Sequence, residues 1–416
     1  MKLNLNTSSQ QVNSMSVAPS ENRWSVPAAP PAFVASSPSP VPLLDVSRQY
    51  APLRQEILRA MERVCDSGRF VLGPDCEELE RRLADYCQTS HAVACASGSD
   101  ALLLALMACG VGPGDEVLMP SYTFFATASA AWRLGAKPVF VDIDPATYNI
   151  DPERVEVLIS SKTKAILPVH LYGQCADMRA LEAIGRTHGI AVVEDACQAI
   201  GAEFGGRRAG SWGAIGCFSF YPTKNLGGFG DGGLLTTHDA TLAQQLRLLR
   251  GHGMEPRYFH QVVGINSRLD TLQAAVLNVK LPHLDDWTEA RAANALRYGE
   301  LFAASHLDQV LGLPVTAAGR RHVWNQYIIR VPDGRRDALR AHLANRKIGT
   351  EIYYPVPLHV QACFAALGYG PGSLPESERA ALETLALPIF PELSAAEQQT
   401  VVREIAAFMH KPATGS

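Results

Sequence analysis

The chain has 416 residues, 47% of them hydrophobic and 19% charged, with 37 basic and 41 acidic side chains for a formal net charge of -4. That length is too great for one simple core and predicts two or three domains. The near-neutral balance gives no reason to expect a nucleic-acid or anionic-membrane partner, and no run approaches the roughly 18 to 20 apolar residues of a membrane span.

The first residues, MKLNLNTSSQQ, are polar and lack the apolar core of a secretory signal, so a cytoplasmic protein is expected. Nine cysteines are scattered without a CxxC pair. They are expected to be free thiols in a reducing compartment, with spacing wrong for zinc.

Residues 1–42 are rich in Ser, Pro, Ala, Asn and Gln and predict a disordered arm. Residues 43–282 are expected to form a large domain that opens with a helical segment. Amphipathic patterns predict helices over 50–67 and 75–87. Six β-rich runs then alternate with helical stretches: 91–96, 116–120, 137–143, 164–171, 190–196 and 217–221. Several are continuously apolar, as in strands buried on both faces, which indicates an α/β fold around a mostly parallel sheet. Residues 283–416 begin with a long charged helical pattern through 302. They continue with a strand near 326–331 and helices near 335–345 and 394–409, a smaller C-terminal α/β domain.

Ligands in such a fold bind beyond the carboxyl ends of the strands. The first strand is followed by Ser97-Gly98-Ser99-Asp100 and an apolar helix, a turn that can offer free N–H groups to a phosphate; Ser97 and Asp100 also suit an ordinary helix cap. Phe124 and its neighbours follow the second strand and suit either a flat ring or the core. Glu194 and Asp195 end the run IAVVEDA, so one carboxylate is expected at the site, although a structural ion pair fits as well. The strongest segment is FSFYPTKNLGGFGDGG: Ser219 ends a strand, and Lys224 lies in a loop followed by five glycines within seven residues. Such a loop can pass close to a bulky group, and a partly desolvated lysine suits Schiff-base chemistry; a solvated loop lysine is the alternative. A phosphate cradle, an aromatic ring, a carboxylate and a lysine are together what pyridoxal phosphate needs.

The motifs SGRFVLGP, ASGSDALLLAL, GPGDEVLMPSYTFFATA, VEDACQAIGA, FSFYPTKNLGGFGDGG and GINSRLDTLQAAVL, in this order, resemble the DegT/DnrJ/EryC1/StrS sugar aminotransferases. The resemblance runs from about residue 43 to the C-terminal helix. It implies fold type I of the pyridoxal-phosphate enzymes and a homodimer with active sites at the interface. Residue by residue, it makes Lys224 the cofactor-carrying lysine and proton shuttle, Asp195 the partner of the pyridinium nitrogen, Gln198 a contact of the cofactor's ring oxygen and Phe124 the stacking ring. Gly98, Ser99 and Ser219 match phosphate ligands. Asn266 matches an asparagine that reaches the phosphate from the neighbouring subunit, which puts Arg268 near the substrate. Family members that deoxygenate carry histidine in place of the lysine, so Lys224 implies transamination, with glutamate as the usual donor.

GINSRLDTLQAA is closer to members acting at a 3-keto position than to those acting at C4, which implies a dTDP- or UDP-linked 3-keto-hexose. Tyr353, Tyr354 and His359 fall where related enzymes contact the nucleotide sugar, although each also suits a rigid Pro-rich turn. A keto-cyclitol or antibiotic-precursor aminotransferase shares every motif, and a non-enzymatic regulatory relative stays open. A dinucleotide dehydrogenase is excluded, because no GxGxxG follows the first strand.

Overall fold

The computed structural model describes residues 40–410, so nearly all of the arm expected over 1–42 lies outside the described residues. The exception corrects that boundary. Val41 pairs with Ile348 and is buried in the core of the C-terminal part of the chain.

Five strands come first: β1 (His91–Cys95), β2 (Glu116–Pro120), β3 (Lys137–Val141), β4 (Thr163–Ile166) and β5 (Ala191–Asp195). A short ribbon, β6 (Glu203–Phe204) and β7 (Arg207–Arg208), precedes β8 (Ile215–Ser219) and β9 (Gly233–Thr237). The seven-stranded sheet has the order β1-β9-β8-β5-β4-β2-β3. Six strands run parallel, and β9 is antiparallel to both of its neighbours. The apolar strand runs are explained by burial on both faces. Side chains alternate across a strand, so Ala92 and Ala94 enter one core while Val93 and Cys95 enter the other.

Helices cover both faces. They are α1 (Val46–Ser67), α2 (Pro74–Tyr86), α3 (Gly98–Ala108), α4 (Ala126–Arg133), α5 (Pro152–Val157), α6 (Met178–His188), α7 (Ala240–Arg250) and α8 (Thr271–Lys280). The first core takes residues from α2, α6 and α8, and the second takes them from α3, α4 and α7. In α1, Leu53, Ile57, Ala60 and Val64 recur at helical spacing and pack on Ala275, Val276 and Val279 of α8. This helix starts four residues before the sequence pattern suggests, because the Asp45 side chain accepts from Ser47 N and caps it; Gly68, at φ 63, ends it.

The C-terminal part comprises α9 (Leu284–Ala304), β10 (Arg320–Arg321), β11 (Tyr327–Arg330), α10 (Arg336–Asn345), α11 (Pro375–Glu383), β12 (Thr384–Leu387) and α12 (Ala395–Met409). Strands β11 and β12 form an antiparallel pair whose core is shared with α9, α10 and α12. The small strand β10 joins the β6–β7 ribbon.

Two sequence expectations change. The run 164–171 is a strand only as far as Ile166, since Pro168 has no N–H for the ladder and the chain beyond makes a single bridge, Val169 to Asp195. Strand β9 was hidden by the glycines that precede it. Among the described residues no helix is long and apolar enough to cross a membrane, and none of the nine cysteines is paired.

Candidate active site

The parallel strands β1, β2, β5 and β8 release their chains at one edge of the sheet, and a cleft of about 690 Å³ opens there. Its floor includes Ser97, Gly98, Ser99, Asp195, Ser219 and Lys224; its outer walls include Tyr353, Tyr354, Gln326 and Glu351 from the C-terminal part.

Strand alternation separates the two carboxylates that sequence left equivalent. Glu194 turns away from the cleft and is fully buried. It accepts from the backbone N–H groups of Gly210 (2.8 Å), Trp212 (2.7 Å) and Gly213 (2.9 Å) and pairs with His170 at 2.9 Å, so it anchors a loop. Asp195 faces the cleft. Its Oδ2 accepts from Thr127 Oγ1 at 2.8 Å and its Oδ1 from the Cys197 N–H at 3.3 Å.

The N-terminus of α3 lies beside Asp195. Ser97 caps it, accepting from Asp100 N at 3.1 Å, so the turn is an ordinary helix cap whose first-turn N–H groups open toward the cleft. The approach to β8 is close. A Cβ on Gly98 would lie 2.7 Å from Ser219 Cβ and 3.0 Å from Cys197 Sγ, which explains the glycine. The Ser219 hydroxyl accepts from Tyr221 N at 3.3 Å and keeps its proton free to donate.

Lys224 sits in the turn after β8, its N–H bonded to Tyr221 O at 2.9 Å. Desolvation by the walls lowers its amine below the usual lysine range, against the opposing pull of Cys197 and Asp195. It is the single basic side chain among the described residues lining the cleft, where Asp195, Asp231 and Glu351 are the acids. The Gln198 amide lines the cleft; its Oε1 accepts from Tyr172 N at 2.8 Å and its Nε2 donates to Tyr354 Oη at 2.7 Å. Phe124, 59% exposed, presents its ring to the same space.

The structure therefore brings Gly98, Ser99, Phe124, Asp195, Gln198, Ser219, Lys224, Tyr353 and Tyr354 to one cleft. It does not bring His359 there. That ring is buried, with Nδ1 2.7 Å from Ser121 Oγ and Nε2 3.0 Å from Glu378 Oε1, so it ties the chain after Tyr354 to both of them. Tyr354, although at the cleft wall, is only 7% exposed and spends its hydroxyl on Gln198. Asn266 and Arg268 do not line the cleft of their own chain. Asn266 is exposed and pairs with Gly251, while Ser267 between them bonds Ala96 N (3.1 Å) and Asp100 Oδ2 (2.8 Å) behind the α3 N-terminus. Thr127 and Tyr172 were missed by sequence reasoning. Thr127 sits one helical turn after Phe124, a spacing that could have singled it out; nothing in the sequence marks the left-handed backbone of Tyr172, at φ 61.

These residues fit pyridoxal phosphate. The glycine-lined α3 N-terminus and the Ser219 hydroxyl suit its phosphate, Asp195 its ring nitrogen, and Lys224 its aldehyde. The model of the DegT/DnrJ/EryC1/StrS aminotransferase family matches residues 52–406. The chain belongs to this family. A pleiotropic regulatory protein of Geobacillus stearothermophilus is 53% identical over 368 residues, covering 88% of this chain and 98% of that one. The dTDP-3-amino-3,4,6-trideoxy-alpha-D-glucose transaminase of Streptomyces venezuelae is 47% identical over 362 residues, 87% of this chain and 94% of its own. Among solved structures, S. venezuelae DesV in complex with a ketimine intermediate superposes with a TM-score of 0.86 at 45% identity, covering 90% of this chain and 99% of that one. This family member thus shares the aminotransferase architecture over 90% of its length.

Proposed function

We propose that the protein is a pyridoxal-phosphate-dependent transaminase that moves the amino group of glutamate onto a nucleotide-linked 3-keto-hexose, carried by dTDP or UDP. The observation that carries this reading is the convergence of Lys224, Asp195 and the α3 N-terminus on one cleft. The name of the S. venezuelae relative supports a nucleotide-linked sugar aminated at C3.

Bound there, pyridoxal phosphate supplies an electron sink and a carrier for the amino group. The chain's own residues do the rest. Asp195, oriented by Thr127, would hold a proton on the ring nitrogen. The Lys224 amine would hold the cofactor's aldehyde and, as the base in the cleft, would take a proton from the donor's α-carbon and deliver one to the sugar carbon. Gln198 and Phe124, which line the same cleft, would hold the cofactor's ring in place.

We read the working unit as a homodimer. Glutamate and the nucleotide sugar both carry negative charge, and Lys224 is the one basic lining residue among those described, already committed to the cofactor. Asn266 and Arg268, which do not line their own cleft, are the groups a second copy would bring. The nine unpaired cysteines suit a reducing, cytoplasmic setting.

The experiment is an absorption spectrum of the purified protein before and after glutamate, with 2-oxoglutarate assayed in parallel. A cofactor band that moves to shorter wavelength, with stoichiometric 2-oxoglutarate, is expected, and Lys224→Ala should abolish both. A second reading, a regulator that binds without turnover, is favoured by the name of the G. stearothermophilus relative; it requires a protein that releases no 2-oxoglutarate.

A further inference from the structure

Behind Gln198 lies a cluster of four tyrosines that the chemistry above does not use. Tyr122, Tyr172 and Tyr354 are all buried, and Tyr354 contacts both other rings: Tyr122 meets it edge-on at 5.3 Å, and Tyr172 stacks on it at 6.2 Å. Tyr148 packs edge-on against Tyr172 at 5.5 Å, and its hydroxyl accepts from Arg330 Nε at 3.0 Å. Tyr172 Oη donates to Tyr122 Oη at 3.0 Å, which pairs with Thr384 Oγ1, at the start of β12, at 2.6 Å. The cluster therefore spans from the central sheet to the C-terminal β11–β12 pair.

It meets the cleft at Tyr354 and, through that hydroxyl, at the Gln198 amide. A backbone N–H can only donate, so the Gln198 atom facing Tyr172 N must be the oxygen. A flipped amide would set two donors against each other. With Oε1 so fixed, Nε2 faces Tyr354 Oη, which accepts one of its two hydrogens. Burial pushes the Tyr354 phenol up, which keeps it protonated and neutral. One Nε2 hydrogen has no partner among the described residues, and Gln198 lines the cleft.

We propose that Tyr354 is a positioning residue: its hydroxyl, together with the Tyr172 N–H, locks the Gln198 amide so that an N–H and not an oxygen meets the cofactor's ring oxygen. This rests on the functional reading above. Because Tyr354 belongs to the C-terminal wall and Tyr172 to the turn after β4, the lock joins two distant parts of the chain at the Gln198 amide. A donor favours the charged form of the ring oxygen; without it the proton equilibrium of the bound cofactor must move.

The test is a pH titration of the cofactor's absorption in the holoprotein, together with the cofactor's dissociation constant, for the wild type, Tyr354→Phe, Gln198→Ala and the double variant. Tyr354→Phe is expected to move the spectral midpoint and to weaken cofactor binding about fivefold, the loss for one neutral hydrogen bond. In the Gln198→Ala background it is expected to change neither, because its effect runs through Gln198. A Tyr354→Phe protein with wild-type midpoint and affinity, or one with the same shift in both backgrounds, would overturn the proposal. A wild-type protein that shows no cofactor band at all is a separate result: it overturns the functional reading, and the positioning role with it.

Discussion

Thr127 Oγ1 donates to Asp195 Oδ2 at 2.8 Å, across 68 residues of sequence, and both side chains are buried. The first turn of α4 thereby orients the carboxylate at the end of β5. Thr127→Val keeps the shape and removes the donor, leaving a buried carboxylate with one bond fewer. Loss of about 1–3 kcal/mol of stability is expected in the cofactor-free protein, measured by denaturant unfolding. Thr127→Ser should restore most of it, and a Thr127→Val protein as stable as wild type would remove Thr127 from the site's support.

The close approach of α3 to β8 gives a second expectation. Gly98→Ala places a Cβ against Ser219 and Cys197, so the helix N-terminus must retreat from the strand. Overpacking of this kind costs about 1–3 kcal/mol of stability. A larger effect is expected on the cofactor, whose phosphate loses its N–H donors: affinity for pyridoxal phosphate should fall about tenfold or more, as one lost charge-assisted hydrogen bond implies. Equilibrium binding followed by absorbance decides it. Undiminished affinity would mean that the α3 N-terminus is not the phosphate cradle.

His359 supplies the contrast between a structural and a substrate-contacting residue. His359→Gln breaks its pairing with Ser121 and Glu378, both within 3.0 Å. Stability is expected to fall by about 1–3 kcal/mol, with KM for the keto-sugar little changed. Unaltered stability with a raised KM would return His359 to the substrate site.

How much of this was legible in the sequence follows from what each feature depends on. The apolar runs of β1, β2, β3, β5 and β8 could be read because a strand buried on both faces has no polar positions to blur it. Strand β9 could not, because its first residue, Gly233, closes a glycine-rich loop. Lys224 and Asp195 stood out by residue type and by their place at strand ends. The choice between Glu194 and Asp195 needed the pleat, which sends adjacent side chains to opposite faces. His359 lies off the cleft and Tyr354 at its wall, and in both the polar atoms are taken by partners far away in sequence, Ser121 and Gln198, which no local pattern reveals.

The amine of Lys224 carries the last expectation. Desolvation lowers it below the ordinary lysine value of 10.5, while Cys197 and Asp195 pull it back up in part. Capture of pyridoxal phosphate by the cofactor-free protein requires the neutral amine, whose fraction rises tenfold per pH unit below the pKa and then levels off. The capture rate, followed by stopped-flow absorbance, should therefore rise with pH and level off before 10.5. Asp195→Asn removes a charge that favours the ammonium form, so its curve should level off at a still lower pH. Stability runs in the matching sense. As pH falls from 10.5 the unfolded chain takes up its lysine proton first, so this residue's contribution to folding diminishes until the folded amine is protonated too, and is constant below that point. A capture rate that climbs without a break through pH 10.5 would show an ordinary solvated lysine. An Asp195→Asn curve displaced to higher pH would show that the carboxylate does not act on the amine as its place beside the cleft implies.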